Sequence, residues 1–349
     1  MIIILEPKAD RGRVEAELKA LGLWTSRFES HHGGAEVLLV EPHSMAVDPG
    51  RIIAVEGVAD VQVPTSSHPR LDARKGEPIL FGDLAVGPGE APVLMAGPCS
   101  IESREQIHEA AALVARAGGH FLRGGAFKPR TSPYSFQGHG RVALGWIREA
   151  ADAHGLRVVT EVMSETEVEA VAAVADLVQI GSRNMQNYAL LHAVGSAGKP
   201  VLLKRGMAAS VDEWLLAAEH LLAAGAAGVV LCERGIQGAD PATRNLLDLG
   251  AVALVRHQYG LPVVVDPSHA TGRRDLVLPL GRAGLAAGAA GLLIEAHPNA
   301  AEARSDGPQA LSPAELVALG ETCFPAASPP RPSRARRPPE GAAPAQEAR

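Results

Sequence analysis

A repeating unit decides the fold of this chain, and residues 200–232, PVLLKRGMAASVDEWLLAAEHLLAAGAAGVVLC, contain one complete example. The runs PVLLK and GVVLC are short, apolar and rich in β-branched residues, which is typical of parallel strands buried on both faces. Between them, residues 211–224 place apolar side chains with the spacing of a helix. The segment therefore predicts two parallel strands joined by a helix.

The same unit recurs along most of the chain. The predicted strands are VLMAG (93–97), HFLRG (120–124), RVVTE (157–161), LVQIG (177–181), PVLLK (200–204), GVVLC (228–232), PVVVD (262–266) and GLLIE (291–295). Helices such as those at 103–117 and 165–174 are predicted between them. Eight units in about 250 residues indicate a (β/α)8, or TIM, barrel over residues 79–324. A doubly wound open sheet is the alternative, but the even spacing favours closure.

A smaller domain is predicted ahead of the barrel, over residues 1–66. MIIIL, LWTSRFES, AEVLLVE and VADVQVP are strand candidates, with one helix around Val14–Leu21 and a shorter one near 50–55. This βαββαβ order is typical of a ferredoxin-like module. Residues 67–78 are predicted to form a linker. Residues 325–349 are rich in Pro, Ala and Arg and are predicted to be disordered.

Composition excludes several classes of function. The chain has 349 residues and a net charge of −6, although residues 325–349 hold five Arg against two Glu. An acidic body argues against nucleic-acid binding. We find no apolar run of membrane-spanning length and no signal sequence, so no membrane partner is expected. Three cysteines, Cys99, Cys232 and Cys323, form no disulfide framework and suit a cytoplasmic location.

Chemistry in such barrels lies at the C-terminal ends of the strands. Charged or metal-binding side chains follow nearly every predicted strand, and one more lies in the loop after the last. They are Cys99, Arg123, Glu161, Arg183, Lys204, Arg205, Glu233, Arg234, Asp266, His269, Glu295 and Asp306. Chance alone does not readily supply this many at one rim. We therefore expect the functional site there.

One part of this rim is strongly cationic. The segment LRGGAFKPRTS at 122–132 contains three cations and no acid. The full set is Arg123, Lys128, Arg130, Arg183, Lys204 and Arg234. Their mutual repulsion would be costly without anionic ligands, so we predict a site for at least two phosphate or carboxylate groups.

A second set can bind a metal ion. Cys99, His269, Glu295 and Asp306 offer a thiolate, an imidazole and two carboxylates, which suits a divalent transition metal of open identity. Each residue alone has an ordinary interpretation. Cys99 could be a small buried side chain, His269 could cap a turn, and the two acids could be solvated rim residues. Together on one barrel face, they are predicted to be ligands.

Seven segments in collinear order resemble one enzyme family. They are MAGPCSIES (95–103), LRGGAFKPRTSPYSFQG (122–138), QIGSRNMQN (179–187), LLKRGMAAS (202–210), LCERG (231–235), DPSHATGRRD (266–275) and IEAHPNAAEARSDGPQAL (294–311). The chain resembles the 3-deoxy-D-arabino-heptulosonate 7-phosphate (DAHP) synthases of type I. The resemblance covers about residues 75–322. The front module is similar to the ferredoxin-like, ACT-like regulatory domain of one subclass.

The resemblance implies a reaction and a role for each matched residue. The family condenses phosphoenolpyruvate with erythrose 4-phosphate and releases phosphate, which opens the shikimate pathway to aromatic amino acids. It implies that Cys99, His269, Glu295 and Asp306 bind one Mn, Fe, Co or Zn ion, which would polarise the aldehyde. Phosphoenolpyruvate would contact Arg123, Lys128, Glu161, Arg183, Lys204 and Arg234. Erythrose 4-phosphate would contact Arg130, Thr131 and Ser132.

Catalysis is expected to depend on Lys128, Cys99 and His269, with Lys128 as the proton donor to the aldehyde oxygen. Ser182 departs from the family pattern, where alanine is expected, and should not change the reaction. The family further implies a homotetramer and feedback inhibition by tyrosine or phenylalanine.

Two alternatives stay open. The first is the sister synthase that uses arabinose 5-phosphate to make 3-deoxy-8-phosphooctulonate. That family carries an Asn-Arg-Ser-type segment after the lysine, whereas this chain has Pro129, Arg130 and Thr131. The second is a catalytically inactive barrel that serves as a regulatory partner.

Overall fold

The computed structural model describes residues 1–28, 36–41, 47–63, 66–128 and 134–324. The predicted tail at 325–349 and the glycine turn at 33–34 lie outside these ranges. The described residues form a small antiparallel sheet with two helices, a short connecting segment and a closed barrel.

The N-terminal elements have the predicted βαββαβ order. They are β1 (Ile2–Leu5), α1 (Arg11–Ala20), β2 (Thr25–Phe28), β3 (Val37–Val40), α2 (Pro49–Ile53) and β4 (Val58–Gln62). The sheet order is β2-β3-β1-β4 with antiparallel pairs, as in a ferredoxin-like fold. Asp10 and Asp48 cap the two helices with their side chains. Ile3, Leu38 and Leu18 belong to the core of this sheet.

The predicted linker contains a short helix, α3 (Pro69–Asp72), which packs on the barrel. Two of its backbone N–H groups, those of Arg70 and Leu71, donate to the Glu219 carboxylate at 3.0–3.1 Å. This contact satisfies donors that the first turn of a helix leaves unpaired.

A hairpin that the sequence patterns did not predict precedes the barrel. It consists of β5 (Ile79–Phe81) and β6 (Leu84–Val86). Ile79, Phe81 and Val86 join the apolar cluster inside the barrel. The Phe81 carbonyl accepts a hydrogen bond from Arg157, the first residue of a barrel strand, at 2.9 Å. The hairpin therefore covers the N-terminal end of the barrel, opposite the predicted site.

Eight parallel strands close the barrel, which confirms the predicted fold class. They are β7 (Val93–Gly97), β8 (Phe121–Arg123), β9 (Arg157–Val162), β10 (Leu177–Ile180), β11 (Pro200–Lys204), β12 (Gly228–Glu233), β13 (Val263–Val265) and β14 (Gly291–Glu295). Their ends differ from the predicted ends by two residues at most.

Helices alternate with these strands on the outside. They are α4 (Arg104–Arg116), α5 (Arg141–Ala153), α6 (Val168–Val174), α7 (Tyr188–Ser196), α8 (Val211–Ala224), α9 (Leu249–Leu254), α10 (Pro267–Thr271), α11 (Val277–Ala286) and α12 (Pro313–Cys323). Among the helices that the structure describes, none is both long and apolar enough to span a membrane.

Candidate active site and metal centre

The alternation of side chains along each strand sets which residues enter the barrel. The interior cluster contains at least one residue of every strand, including Met95, Phe121, Val159, Leu177, Leu202, Cys232, Val264 and Leu293. Side chains two residues further along the same strand point the same way. This rule directs Arg123, Glu161, Lys204, Arg234, Asp266 and Glu295 towards the barrel axis at its C-terminal end. Gln179, two residues after Leu177, follows the same rule.

Two rim residues do not reach the site, because neighbouring side chains on a strand point to opposite faces. Arg205 follows Lys204 directly, and Glu233 precedes Arg234. Their side chains pair with each other at 3.0 Å, and Arg205 also donates to Asp248 at 2.9 Å. Both lie outside the cavity described below, so they serve the packing of the barrel.

The four predicted metal ligands lie together. One ligand atom from each of Cys99, His269, Glu295 and Asp306 lies within 4.8 Å of the other three. The Cys99 thiol donates to the Asp306 carboxylate at 3.0 Å, and His269 Nε2 lies 3.1 Å from Glu295 Oε1. Cys99 and Glu295 are buried, whereas His269 and Asp306 line the cavity. The donor set and its spacing fit a divalent transition metal.

His269 is held by Asp266, a residue that the sequence analysis placed at the rim without a role. Asp266 caps α10, where it accepts the His269 backbone N–H at 2.9 Å, and it lies 2.7 Å from His269 Nδ1. A proton on Nδ1 then leaves the Nε2 lone pair facing the ligand cluster. Burial opposes ionisation of Asp266, but His269 and Lys204 outweigh it and lower the pKa of this carboxyl.

Glu295 is fixed by three neighbours. Arg123 Nη1 donates to Oε1 at 2.8 Å, and the Gln309 amide donates to Oε2. The Glu295 backbone N–H donates to the Ser268 hydroxyl at 3.1 Å. Burial opposes ionisation here too, but His269 and Arg123 hold the pKa of Glu295 well below its usual range. Glu295 is therefore a carboxylate at neutral pH, as a metal ligand must be.

Lys128 joins the metal cluster to the cation cluster. Its Nζ donates to the Sγ and to the carbonyl oxygen of Cys99, both at 2.9 Å. Burial and the Glu295 carboxylate raise the pKa of the Cys99 thiol. A bound cation would be needed to favour the thiolate that metal ligation requires.

A cavity of about 530 Å³ opens beside these groups. Its lining includes Lys128, Glu161, Arg183, Lys204, Arg234, His269 and Asp306 and the turn at 181–184. Arg123 lies deeper, in a small adjoining space with Cys99 and Lys128. Lys204 pairs with Asp266 at 2.6 Å, and Glu161 accepts from Gln179 at 3.0 Å. The structure thus brings together all the predicted site residues that it describes. Arg130, Thr131 and Ser132 lie outside the described residues.

Sequence reasoning missed some lining residues. Arg244 extends to within 3.6 Å of the Asp306 carboxylate. Asn245, with its amide turned so that both ends are satisfied, accepts from Arg234 at 2.9 Å. Both lie in the long segment between β12 and α9. This segment forms no named strand, so its side chains do not alternate in direction regularly. The sequence could have identified Gln179, because it lies at an inward-facing position of β10, like its neighbours on β9 and β11.

Fold and site together are those of a (β/α)8 enzyme, with a cavity suited to multiply anionic substrates and a candidate metal site beside it. Cations face the cavity from several strands, and two of the four candidate ligands, His269 and Asp306, line the same cavity. The chain belongs to the DAHP synthetase I family, which matches residues 62–324.

Relatives and solved structures agree with this assignment. A phospho-2-dehydro-3-deoxyheptonate aldolase of Thermotoga maritima is 49% identical over 257 residues, 74% of this chain and 76% of that protein. A 2-dehydro-3-deoxyphosphooctonate aldolase of Azoarcus sp. is 34% identical over 258 residues, 68% of this chain and 91% of that protein. The crystal structure of a Thermotoga maritima DAHP synthase superposes with a TM-score of 0.72 at 39% identity, covering 92% of this chain and 95% of that chain. A truncated form of the synthase from the same organism gives 0.68 at 43%, covering 74% and 95%.

Proposed function

We propose that the chain is a 3-deoxy-7-phosphoheptulonate synthase, which condenses phosphoenolpyruvate with erythrose 4-phosphate and water to give DAHP and phosphate. This is the first step of the shikimate pathway. One observation carries the proposal: the Cys99, His269, Glu295 and Asp306 cluster adjoins a cation-lined cavity. The higher identity to the heptonate aldolase than to the octonate aldolase supports the four-carbon acceptor.

Phosphoenolpyruvate occupies the cation-lined part of the cavity. Arg183, Lys204 and Arg234 hold its phosphate and carboxylate, and backbone N–H groups of the turn at 181–184 suit the phosphate. Arg123 and Lys128 approach from the deeper side, and Glu161 lies near the phosphate. Groups fixed before the substrate arrives contribute orientation, which can be a large part of the rate enhancement.

Cys99, His269, Glu295 and Asp306 would hold one Mn, Fe, Co or Zn ion. When bound, the ion supplies Lewis-acid polarisation of the acceptor aldehyde. Asp266 maintains the tautomer of His269 through its 2.7 Å contact with Nδ1. Arg123 keeps Glu295 charged and oriented at 2.8 Å. These contacts exist before any ion binds, so they pre-organise the ligands.

Lys128 donates the proton in the condensation. The C3 methylene of phosphoenolpyruvate forms the new bond to the aldehyde carbon, and the aldehyde oxygen takes a proton from Lys128 Nζ. Bond formation leaves positive character at C2, where water adds and loses a proton, which balances the one that Lys128 gave. Cleavage of the bond between C2 and the phosphate oxygen then releases phosphate, which takes up the second proton of the water and leaves the C2 ketone. Burial would lower the pKa of Lys128, but Cys99 and Glu161 outweigh it and raise that pKa. Lys128 therefore carries the proton at neutral pH.

Arg130 and Thr131, with Ser132, bind the phosphate of the acceptor. The support is the Lys-Pro-Arg-Thr sequence at 128–131, which differs from the segment expected for an arabinose 5-phosphate enzyme. Phosphate release should be measured with phosphoenolpyruvate and each aldose phosphate on metal-loaded protein. We expect turnover with erythrose 4-phosphate. A preference for arabinose 5-phosphate would overturn the assignment, and no turnover with either would favour the inactive-barrel alternative.

Metal dependence has its own test. Exhaustive chelation should abolish turnover, and Cys99→Ala should lower the metal content of the purified protein. Cys323→Ala is a matched control, because Cys323 ends α12, at the opposite end of that helix from the loop that carries Asp306. Full turnover after chelation, or unchanged metal content in Cys99→Ala, would contradict the proposed ligand set.

Regulation and assembly are the finer part of the proposal. Residues 1–66 act as a feedback domain for tyrosine or phenylalanine, and the enzyme is a cytoplasmic homotetramer. The ferredoxin-like element order before a pathway-entry enzyme supports the regulatory role. Removing residues 1–66 should abolish inhibition by these amino acids while turnover persists. Unchanged inhibition curves would assign the domain another role. Light scattering tests the tetramer.

A further inference from the structure

Glu102 lies outside the cavity, three residues after Cys99, yet it contacts two other loops at the same end of the barrel. Its side chain is only 11% exposed. Oε1 accepts the backbone N–H of Arg304 at 2.8 Å and lies 3.4 Å from the Ser100 hydroxyl. The other oxygen, Oε2, lies 3.6 Å from His297 Nε2. These contacts fix a largely buried carboxylate between several neighbours, which indicates a structural role.

The loop that Glu102 holds through Arg304 is the one that carries Asp306. This loop runs from β14 to α12, and Asp306 adopts a left-handed backbone conformation with φ of 51°. Such a conformation is unfavourable for a residue other than glycine, although Asp tolerates it better than most. It persists only where neighbours fix the chain. The Arg304 N–H bond to Glu102 fixes the chain two residues before Asp306.

Glu102 also reaches the loop after β8, which carries Lys128. Its backbone carbonyl accepts from His139 Nε2 at 2.9 Å. His139 packs edge-on against Phe136, with ring centroids 5.1 Å apart. The Arg304 guanidinium stacks on the same Phe136 ring at 4.0 Å. Glu102 and Arg304 therefore connect all three loops that supply Cys99, Lys128 and Asp306.

We propose that Glu102 is a positioning residue, which holds the Asp306 loop against the Cys99 loop so that the four metal ligands keep their mutual distances. This inference rests on the metal site of the proposed function. Glu102 contributes through the acceptor oxygen that it offers to the Arg304 N–H. A glutamine can offer the same oxygen, whereas an alanine cannot.

Metal-free protein titrated with Co²⁺ in competition with a chromophoric chelator measures this role without turnover. A hydrogen bond to a charged group typically contributes about 10–100-fold to an equilibrium constant. Because Glu102→Ala removes such a bond from the Asp306 loop, we expect this variant to weaken Co²⁺ binding by about tenfold. Glu102→Gln should stay within about threefold of the parent, because it keeps the hydrogen bond to Arg304. Absorption of the cobalt–thiolate complex should change in Glu102→Ala, since the Cys99 and Asp306 geometry loosens.

Two further variants separate positioning from general damage. Glu109→Ala removes an exposed carboxylate from α4, the helix that follows Glu102, and should bind Co²⁺ like the parent. Arg304→Ala keeps the backbone N–H that Glu102 accepts but removes the contact with Phe136. A cation–π contact of this kind corresponds to about 2–5-fold in affinity. Arg304→Ala should therefore bind Co²⁺ more weakly than Glu109→Ala and more tightly than Glu102→Ala.

The outcomes distinguish a failure of the proposed metal site from a failure of the role proposed for Glu102. If the parent protein binds no Co²⁺, the proposed metal site fails. If the parent binds Co²⁺ and Glu102→Ala binds it equally well with the same absorption, the positioning role of Glu102 is wrong. If Glu102→Ala does not fold, Glu102→Gln decides: a loss of Co²⁺ affinity of about tenfold or more overturns the proposal, because this variant keeps the acceptor oxygen for the Arg304 N–H.

Discussion

Replacing Asp266 by asparagine removes one negative charge from the centre of the site and leaves the shape of the side chain nearly unchanged. Asp266 has no exposed surface. It accepts from Lys204 Nζ at 2.6 Å, and it lies 2.7 Å from His269 Nδ1. The substitution therefore leaves Lys204 as a buried cation without its carboxylate and leaves His269 without its charged partner.

The expected cost follows from these contacts. Removing one partner of a buried ion pair typically costs about 3–5 kcal/mol. Asparagine keeps one oxygen for the three donors, Lys204 Nζ and the Nδ1 and backbone N–H of His269, so we expect a loss of about 3 kcal/mol. The pKa of Asp266 is lowered in the folded protein, because His269 and Lys204 outweigh the opposing effect of burial. Its contribution is therefore present above the unfolded pKa of about 3.9 and is lost only as pH falls through the lower folded value.

Urea unfolding of the metal-free protein at neutral pH measures this loss. The matched control is Asp275→Asn, which removes an exposed carboxylate that pairs with Arg273 at 2.8 Å. We expect the control to unfold at the same urea midpoint as the parent, because an exposed ion pair contributes little to stability. Lys204→Met combined with Asp266→Asn should recover part of the loss, because it removes the stranded cation.

Two results would refute this reasoning. A loss below about 1 kcal/mol in Asp266→Asn would show that the charge of Asp266 contributes little to stability. Strictly additive effects of the Lys204 and Asp266 substitutions would show that the 2.6 Å contact is not an energetic pair.

Three further outcomes follow from the packing. A Cβ at Gly320 would lie 2.1 Å from the backbone carbonyl oxygen of Ala117, so Gly320→Ala should cost about 1–3 kcal/mol in urea unfolding. An unchanged midpoint would contradict this. Cys232 is fully buried inside the barrel, so Cys232→Ser should lower the free energy of unfolding by about 1–3 kcal/mol, and Cys323→Ser by about 0.5 kcal/mol. Equal shifts of the melting temperature in the two variants would be evidence against this prediction. Removing residues 325–349 should leave the melting temperature unchanged, and a fall of several degrees would show that this segment stabilises the barrel.

Much of the site was predictable because inward-facing and outward-facing side chains alternate along a strand. Apolar runs mark the strands, and the interior residue of each run fixes which later positions face the axis. Phe121 leads to Arg123 in this way, and Leu293 leads to Glu295. The same rule, applied to the sequence alone, excludes Arg205 and Glu233 from the rim candidates, because both have the opposite parity.

Other features were not predictable from local pattern. The role of Asp266 depends on Lys204, which is 62 residues away, and no local pattern encodes such a contact. The β5–β6 hairpin consists of two three-residue strands, too short for alternation to identify them. Arg244 lies in a long irregular segment, where side-chain direction has no periodicity.

The number of cations at the rim is weaker evidence for an anionic ligand than the surroundings of each cation. Their number suggested that repulsion must be relieved by at least two anionic groups of a ligand. The structure relieves part of that repulsion internally, because Arg123 pairs with Glu295 and Lys204 pairs with Asp266. Arg234 differs, since burial lowers its pKa and its hydrogen bonds to described residues involve only neutral groups. A buried guanidinium of this kind gains most from an incoming anion. Arg234 is therefore better evidence for an anionic substrate than the total number of cations.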